Sequence, residues 1–254
     1  MTSSISKLKL TIGLFLPFMM SFSRFTPPIP AHRIPESKAN TLYLKNGTIF
    51  NNCSDVAKLA ENLPGSNVSQ NKTVCTWDLG GGILNGSKQK GDGGQSENQE
   101  PLFRARTSLI LQNGFVLNNK NAAVFYSPNS GVKNVTWLNV GEDAVATAKG
   151  AYNFLIENCE FINKRGGDKS IQANDSKDLK MFNNLVYGGI TCARVGSKSF
   201  GNKPSDIAQA GGNRFVGCDT AYNISSITLK IVQKDKYQHV NKTEVLGSGA
   251  KIKR

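Results

Sequence analysis

Histidine is nearly missing from this chain: only His32 and His239 occur in 254 residues. One stands in a proline-rich stretch and the other near the C-terminus. Neither a Ser-His-Asp hydrolase nor a histidine zinc centre has the side chains it needs. Acidic residues are also scarce, 18 against 31 Lys and Arg, which leaves a formal net charge of +13. No apolar run reaches the roughly twenty residues that a membrane-spanning helix requires. The regular leucine spacing and helical halves of a leucine-rich repeat are absent as well.

What is present begins with a leader. Lys7 and Lys9 precede the uncharged run from Leu10 to Met20, the order of a secretory signal peptide. We expect a signal over residues 1–23, with cleavage between Ser21 and Ala31, and an extended linker over 24–40 marked by Pro27, Pro28, Pro30 and Pro35. A single folded domain is expected over 41–254, starting with a strand pattern around Asn46-Gly47. Nine Asn-x-Ser/Thr sequons and five cysteines agree with an extracellular, oxidising destination. Cys53 and Cys75 bracket a polar loop and form the preferred pair. The connectivity stays open, and an odd number leaves one thiol unpaired within the chain. A basic surface implies an acidic partner. Nucleic acid rarely meets a secreted glycoprotein, so an anionic polysaccharide suits this compartment better.

Beyond Gly91 a repeat sets in: an apolar strand-like run, an Asn, two residues, and a large apolar residue. Its asparagines are Asn113, Asn134, Asn158, Asn183 and Asn213, spaced 21, 24, 25 and 30 residues apart. Periods of this length with short β runs mark a solenoid. Asparagine tolerates left-handed backbone and bonds neighbouring backbone, so it suits a repeated bend. Stacked coils of this kind would bury a continuous apolar core that no single coil could bury. The expected fold is an all-β parallel β-helix.

Chemistry concentrates in two stretches. Gly91-Asp92-Gly93-Gly94-Gln95-Ser96-Glu97-Asn98-Gln99-Glu100-Pro101-Leu102-Phe103 sets acids and amides beside a glycine-rich bend. Gly141-Glu142-Asp143-Ala144 sets two adjacent carboxylates at the end of an apolar run. Carboxylates gathered at strand ends suit a hard cation such as Ca²⁺.

Both stretches resemble the compact pectate lyases, polysaccharide lyase family three, which carry GDG-Q-x-EN-Q-x-P-F and V-GEDA. The resemblance implies a secreted, right-handed parallel β-helix. It also implies calcium-dependent β-elimination of polygalacturonate (pectin) in plant cell walls by a monomer, with no nucleic-acid partner and no membrane partner once the signal is removed. It places Ca²⁺ on Glu97, Glu142, Asp143 and Asp168. Gly167-Asp168-Lys169-Ser170-Ile171-Gln172 resembles the family's D-K-V-x-Q, making Lys169 the expected base, and Arg194 falls at the family's arginine as its electrostatic partner. Lys149, next to the position of a family lysine at Ala148, is the expected substrate contact. Three departures stand out: Ala122 where the family has a calcium-binding Asp, Thr191 where it has a Lys, and Ala148 itself. They keep open a pectin-binding relative that has lost activity, or a secreted interaction protein. A β-helix hydrolase comes third, because adjacent carboxylates on a strand point to opposite faces and are poorly placed about a water.

Overall fold

A computed structural model of the protein describes residues 40–94, 99–163 and 167–254. The expected leader, all but the last residue of the expected linker, and Glu97 lie outside them. The described chain winds into a parallel β-helix. Its strands form a fifteen-stranded and an eight-stranded sheet, and every pairing is parallel except the hairpin of Asn67–Asn71 with Val74–Asp78.

The eight-stranded sheet takes one strand from each coil: Ile49–Phe50, Pro101–Ala105, Asn121–Phe125, Val145–Thr147, Lys169–Ala173, Thr191–Val195, Thr220–Ile224 and Lys242–Leu246. The register aligns Phe103, Ala123, Val145, Ile171, Ala193 and Tyr222, all buried, as one inward rung. The next residue of each strand forms a rung with greater exposure: Arg104, Val124, Ala146, Gln172, Arg194 and Asn223. Period-two alternation on the strand thus separates core from surface.

The asparagine bends are real, with one correction. Asn113, Asn134, Asn158 and Asn183 have φ of 57°, 51°, 53° and 56°. The amides of Asn134 and Asn113 bond to each other across one coil step at 3.1 Å. Asn213 is out of phase. Leu185 pairs with Arg214, so the bend in that coil falls on Gly212, φ 69°, and Asn213 stacks on Asn184 instead. These two form a buried ladder: Asn184 Nδ2 donates to Asn213 Oδ1 at 3.0 Å, and the Asn213 N–H donates to Asp235 Oδ1 at 2.8 Å. Glycine reaches the same left-handed conformation at no steric cost, which hides the bend from a count of asparagines.

Aromatic rings fill the lower coils. Phe50, Phe103, Phe125 and Phe154 follow one another with centroids 5.2, 5.6 and 4.9 Å apart. The open lower end is covered by the helix Cys53–Ala60, which the sequence pattern did not announce. Asn52 and Asp55 close it with a capping box, and Val56 and Ala60 are buried. Cys53 pairs with Cys75 as expected, tying this cap to the first coils, and Cys192 pairs with Cys218. Cys159 is free and buried, and burial pushes its thiol up to about 12. Among the sequons, Asn85 and Asn174 are each only 8% exposed, too enclosed to carry a glycan in the folded protein.

Phe125 sits in the middle of the ring column with no exposure. Phe125→Ala should cost about 3–5 kcal/mol, the range for truncating a buried aromatic. Urea denaturation measures this, and a loss under about 1 kcal/mol would mean that the column is not part of the continuous core.

Candidate active site

The carboxylate pair lies where the chain enters Val145–Thr147. It occupies a bend rather than a strand, so the alternation that would separate adjacent side chains does not act. Glu142 and Asp143 are 4% and 3% exposed. Their burial depends on a backbone contact. A Cβ on Gly141 would lie 2.6 Å from the Cα of Gly93, and 2.8 Å from the carbonyl oxygens of Asn119 and Lys120. Only glycine at 141 allows the Gly91–Gly94 bend to press onto the acids.

Gln99 fastens that bend. Its Oε1 accepts from the Gly93 N–H, while Nε2 donates to Gly94 O at 2.7 Å and to Glu142 Oε2 at 3.4 Å. It is 6% exposed. The sequence motif contains this residue, but nothing in it shows that the amide reaches an acid 43 positions away. On the other side, Asn119 Nδ2 donates to the Asp143 carbonyl. The Glu142 carbonyl accepts from the N–H groups of Asp168 and Lys169 at 3.2 and 2.9 Å. Those two bonds bring the Asp168-Lys169 pair from the next coil onto the acids.

Lys169 is ion-paired to Asp168, and its Nζ lies 3.6 Å from Asp143 Oδ1. Among the described residues that oxygen, although buried, has no partner within hydrogen-bond distance. Burial pushes the Asp143 carboxyl up to about 7; Lys169 pulls it down, and Glu142 and Asp168 push it further up. Among the described residues, no group of three or more His, Cys, Asp or Glu is already arranged around a metal position. The donor chemistry nevertheless fits a hard cation: two buried carboxylates side by side, one oxygen without a hydrogen-bond donor among the described residues, and a third carboxylate ion-paired to Lys169.

The remaining expected residues separate. Arg194 stands in register with Gln172 on the outer rung, half-buried, one strand beyond Lys169. Among the described residues it has no carboxylate partner. Thr191 is directly in register with Lys169, so a lysine at 191 would have been its immediate neighbour. Ala122 is 1% exposed, and no carboxylate enters the site from that coil. Lys149 lies on an exposed turn beyond the C-terminal end of Val145–Thr147, while Asp143 precedes its other end. At about 3.3 Å per residue the two are roughly 20 Å apart along the chain. Lys149 is therefore not part of the acid cluster.

Buried carboxylates at the strand starts of a parallel β-helix, with an arginine and a glutamine side by side on the outer rung of the same sheet, define the class of arrangement to be compared with known proteins. The pectate lyase family model matches residues 56–207, more than half of the chain and all of the acid cluster. The chain belongs to the pectate lyase family, whose members are polysaccharide lyases.

Asp143 sets a pH signature for the metal-free protein. Its folded-state value lies above the ordinary 3.8, so the folded form holds the proton more tightly than the unfolded form. This contribution is full below about pH 4 and is lost as pH rises through about 7, amounting to at most about 4 kcal/mol. In chelator, the urea midpoint of the wild type should fall between pH 5 and pH 8 by more than that of Asp143→Asn. Equal falls would contradict the raised value.

Proposed function

We propose that the protein is a secreted, calcium-dependent lyase that cleaves polygalacturonate in plant cell walls by β-elimination. The observation that carries this reading is the three-way contact of Lys169 with the buried Asp143 and with Asp168, on the strand next to the one that carries Arg194, which has no carboxylate partner among the described residues. Elimination removes the proton at C5 of a galacturonate, beside its carboxylate, and breaks the C4–O bond. Glu142, Asp143 and Asp168, with Glu97 from the segment after Gly94, would hold Ca²⁺. Bound there, the ion would draw charge from the substrate carboxylate and stabilise the anion that develops at C5.

The protein's own groups supply the rest. Lys169 stands at the edge of the acids and at the start of the sheet that faces the sugar chain, and its amine is the base for the C5 proton. While it is paired to Asp143 and Asp168 the amine is occupied; it becomes available once those carboxylates have another partner. Arg194 offers a planar fork that grips a uronate carboxylate and fixes the ring above Lys169. Gln172, in register with Arg194, lies beside it for a sugar hydroxyl. No nucleophilic water is required, in keeping with acids that are buried rather than spread about an open cavity.

A second reading is favoured by Thr191 and Ala122: a relative that binds pectin through the same face without cleaving it. One assay separates the two. Polygalacturonate with Ca²⁺ at alkaline pH should yield a product that absorbs in the ultraviolet through its new C4–C5 double bond. Chelator should abolish this, and Lys169→Ala should lower the rate at least about 100-fold, the usual share of a general base. Folded wild-type protein that binds the polymer but forms no such product would leave the second reading. A product without the double bond would point to hydrolysis.

A further inference from the structure

Lys149 has neighbours of its own. The turn that follows each strand of the eight-stranded sheet is stacked coil on coil. The Tyr126 N–H donates to Ala105 O, which places Arg106 one coil below Tyr126. The Ala148 N–H donates to Phe125 O, which places Ala148 and Lys149 one coil above it. The Asn129 N–H donates to Tyr152 O, and the Asn153 N–H donates to Lys177 O one coil higher again. The Lys177 ammonium stands 5.7 Å from the centroid of the Tyr152 ring.

These side chains are not core residues caught at an edge. Tyr126 and Tyr152 are 39% and 43% exposed, and Arg106, Lys149 and Lys177 are exposed. Two acids share the turn. Asp175 is 8% exposed, and its carboxylate accepts from the Gly150 N–H, so it faces inward. Asp178 is exposed, which leaves three bases against one acid at the surface. Coil stacking at about 4.8 Å makes the file from Arg106 to Lys177 roughly 14 Å long. It runs parallel to the outer rung that carries Arg104 and Arg194. It lies at the opposite strand ends from Glu142, Asp143 and Asp168.

Exposed rings offer flat apolar faces with a polar tip, and cations beside them favour a ligand that carries anions at regular spacing. We propose that Arg106, Tyr126, Lys149, Tyr152 and Lys177 form a second binding surface for acidic polysaccharide, separate from the acid cluster and independent of calcium. The rings stack on sugar faces and the bases meet uronate carboxylates, holding a length of polymer alongside the sheet. This rests on the reading of the substrate as an acidic polysaccharide, but not on the elimination chemistry.

The test is binding of polygalacturonate in chelator by affinity electrophoresis, with neutral galactan as the comparison polymer. Wild-type protein should bind polygalacturonate and not galactan. Tyr126→Ala with Tyr152→Ala, and separately Lys149→Ala with Lys177→Ala, should each weaken that binding tenfold or more with unchanged melting temperature. Two double variants at exposed positions guard against a folding defect in either one. Wild-type affinity in both would overturn the proposal, as would equal binding of galactan or no binding of polygalacturonate in chelator. Ultraviolet product formation is scored separately on the wild type. A protein that forms no product yet shows this binding pattern would sink the lyase reading and leave this surface standing.

Discussion

The described strands of each coil find their ladder partners in the neighbouring coils, the hairpin of Asn67–Asn71 with Val74–Asp78 apart. An N–H or C=O left unpaired in a buried position costs about 1–3 kcal/mol, so the parallel ladders lock the coils in register. That register determines the rest of the molecule. It lays Phe103, Ala123, Val145, Ile171 and Ala193 one above another as core, and brings Arg194 beside Gln172 on the opposite face. Residues 20 to 30 positions apart in sequence become neighbours about 4.8 Å apart. An enzyme that must meet a linear polymer gains a linear face in this way.

The ladder also accounts for an electrostatic arrangement that would otherwise be unfavourable. Two adjacent carboxylates are removed from water, and a third stands close by. The Glu142 carbonyl accepts two N–H groups from the next coil, and Gln99 anchors the glycine-rich bend above. Held in this way, Glu142 and Asp143 lie buried from solvent. Asp143 resists ionisation, and Lys169 supplies the nearest compensating charge. A site built from groups that repel one another is poised to take up a cation. In the proposed mechanism, the ammonium that stands in for that cation would be the base that removes the proton.

Much of this was legible in the sequence because it depends on single residues. Left-handed bends at Asn113, Asn134, Asn158 and Asn183 follow from what asparagine tolerates, and the motif around Glu142-Asp143 names its own acids. What could not be read depends on contacts between distant segments or on parity. The burial of the acids rests on Gly93 meeting Gly141, 48 positions apart. The fifth bend moved to Gly212 because glycine can replace asparagine there without trace in the repeat. Lys149 lay one residue from the expected position at Ala148; both lie past the strand end at Thr147, Ala148 half-buried and Lys149 exposed on the turn, which only the strand's actual end could show. The capping helix is only eight residues long, too short for its apolar positions to establish a period, and its capping box was the one local sign of it.

The central claim is that Asp143 is held protonated near neutrality by burial and gives up that proton when a cation binds. Calorimetric titration of the wild type with Ca²⁺, repeated in buffers of different ionisation heat, counts protons released per ion bound. The account predicts release approaching one proton per Ca²⁺ at pH 6, shrinking towards zero at pH 8.5, and absent in Asp143→Asn. Calcium binding with no proton release at pH 6, or release that survives in Asp143→Asn, would contradict it.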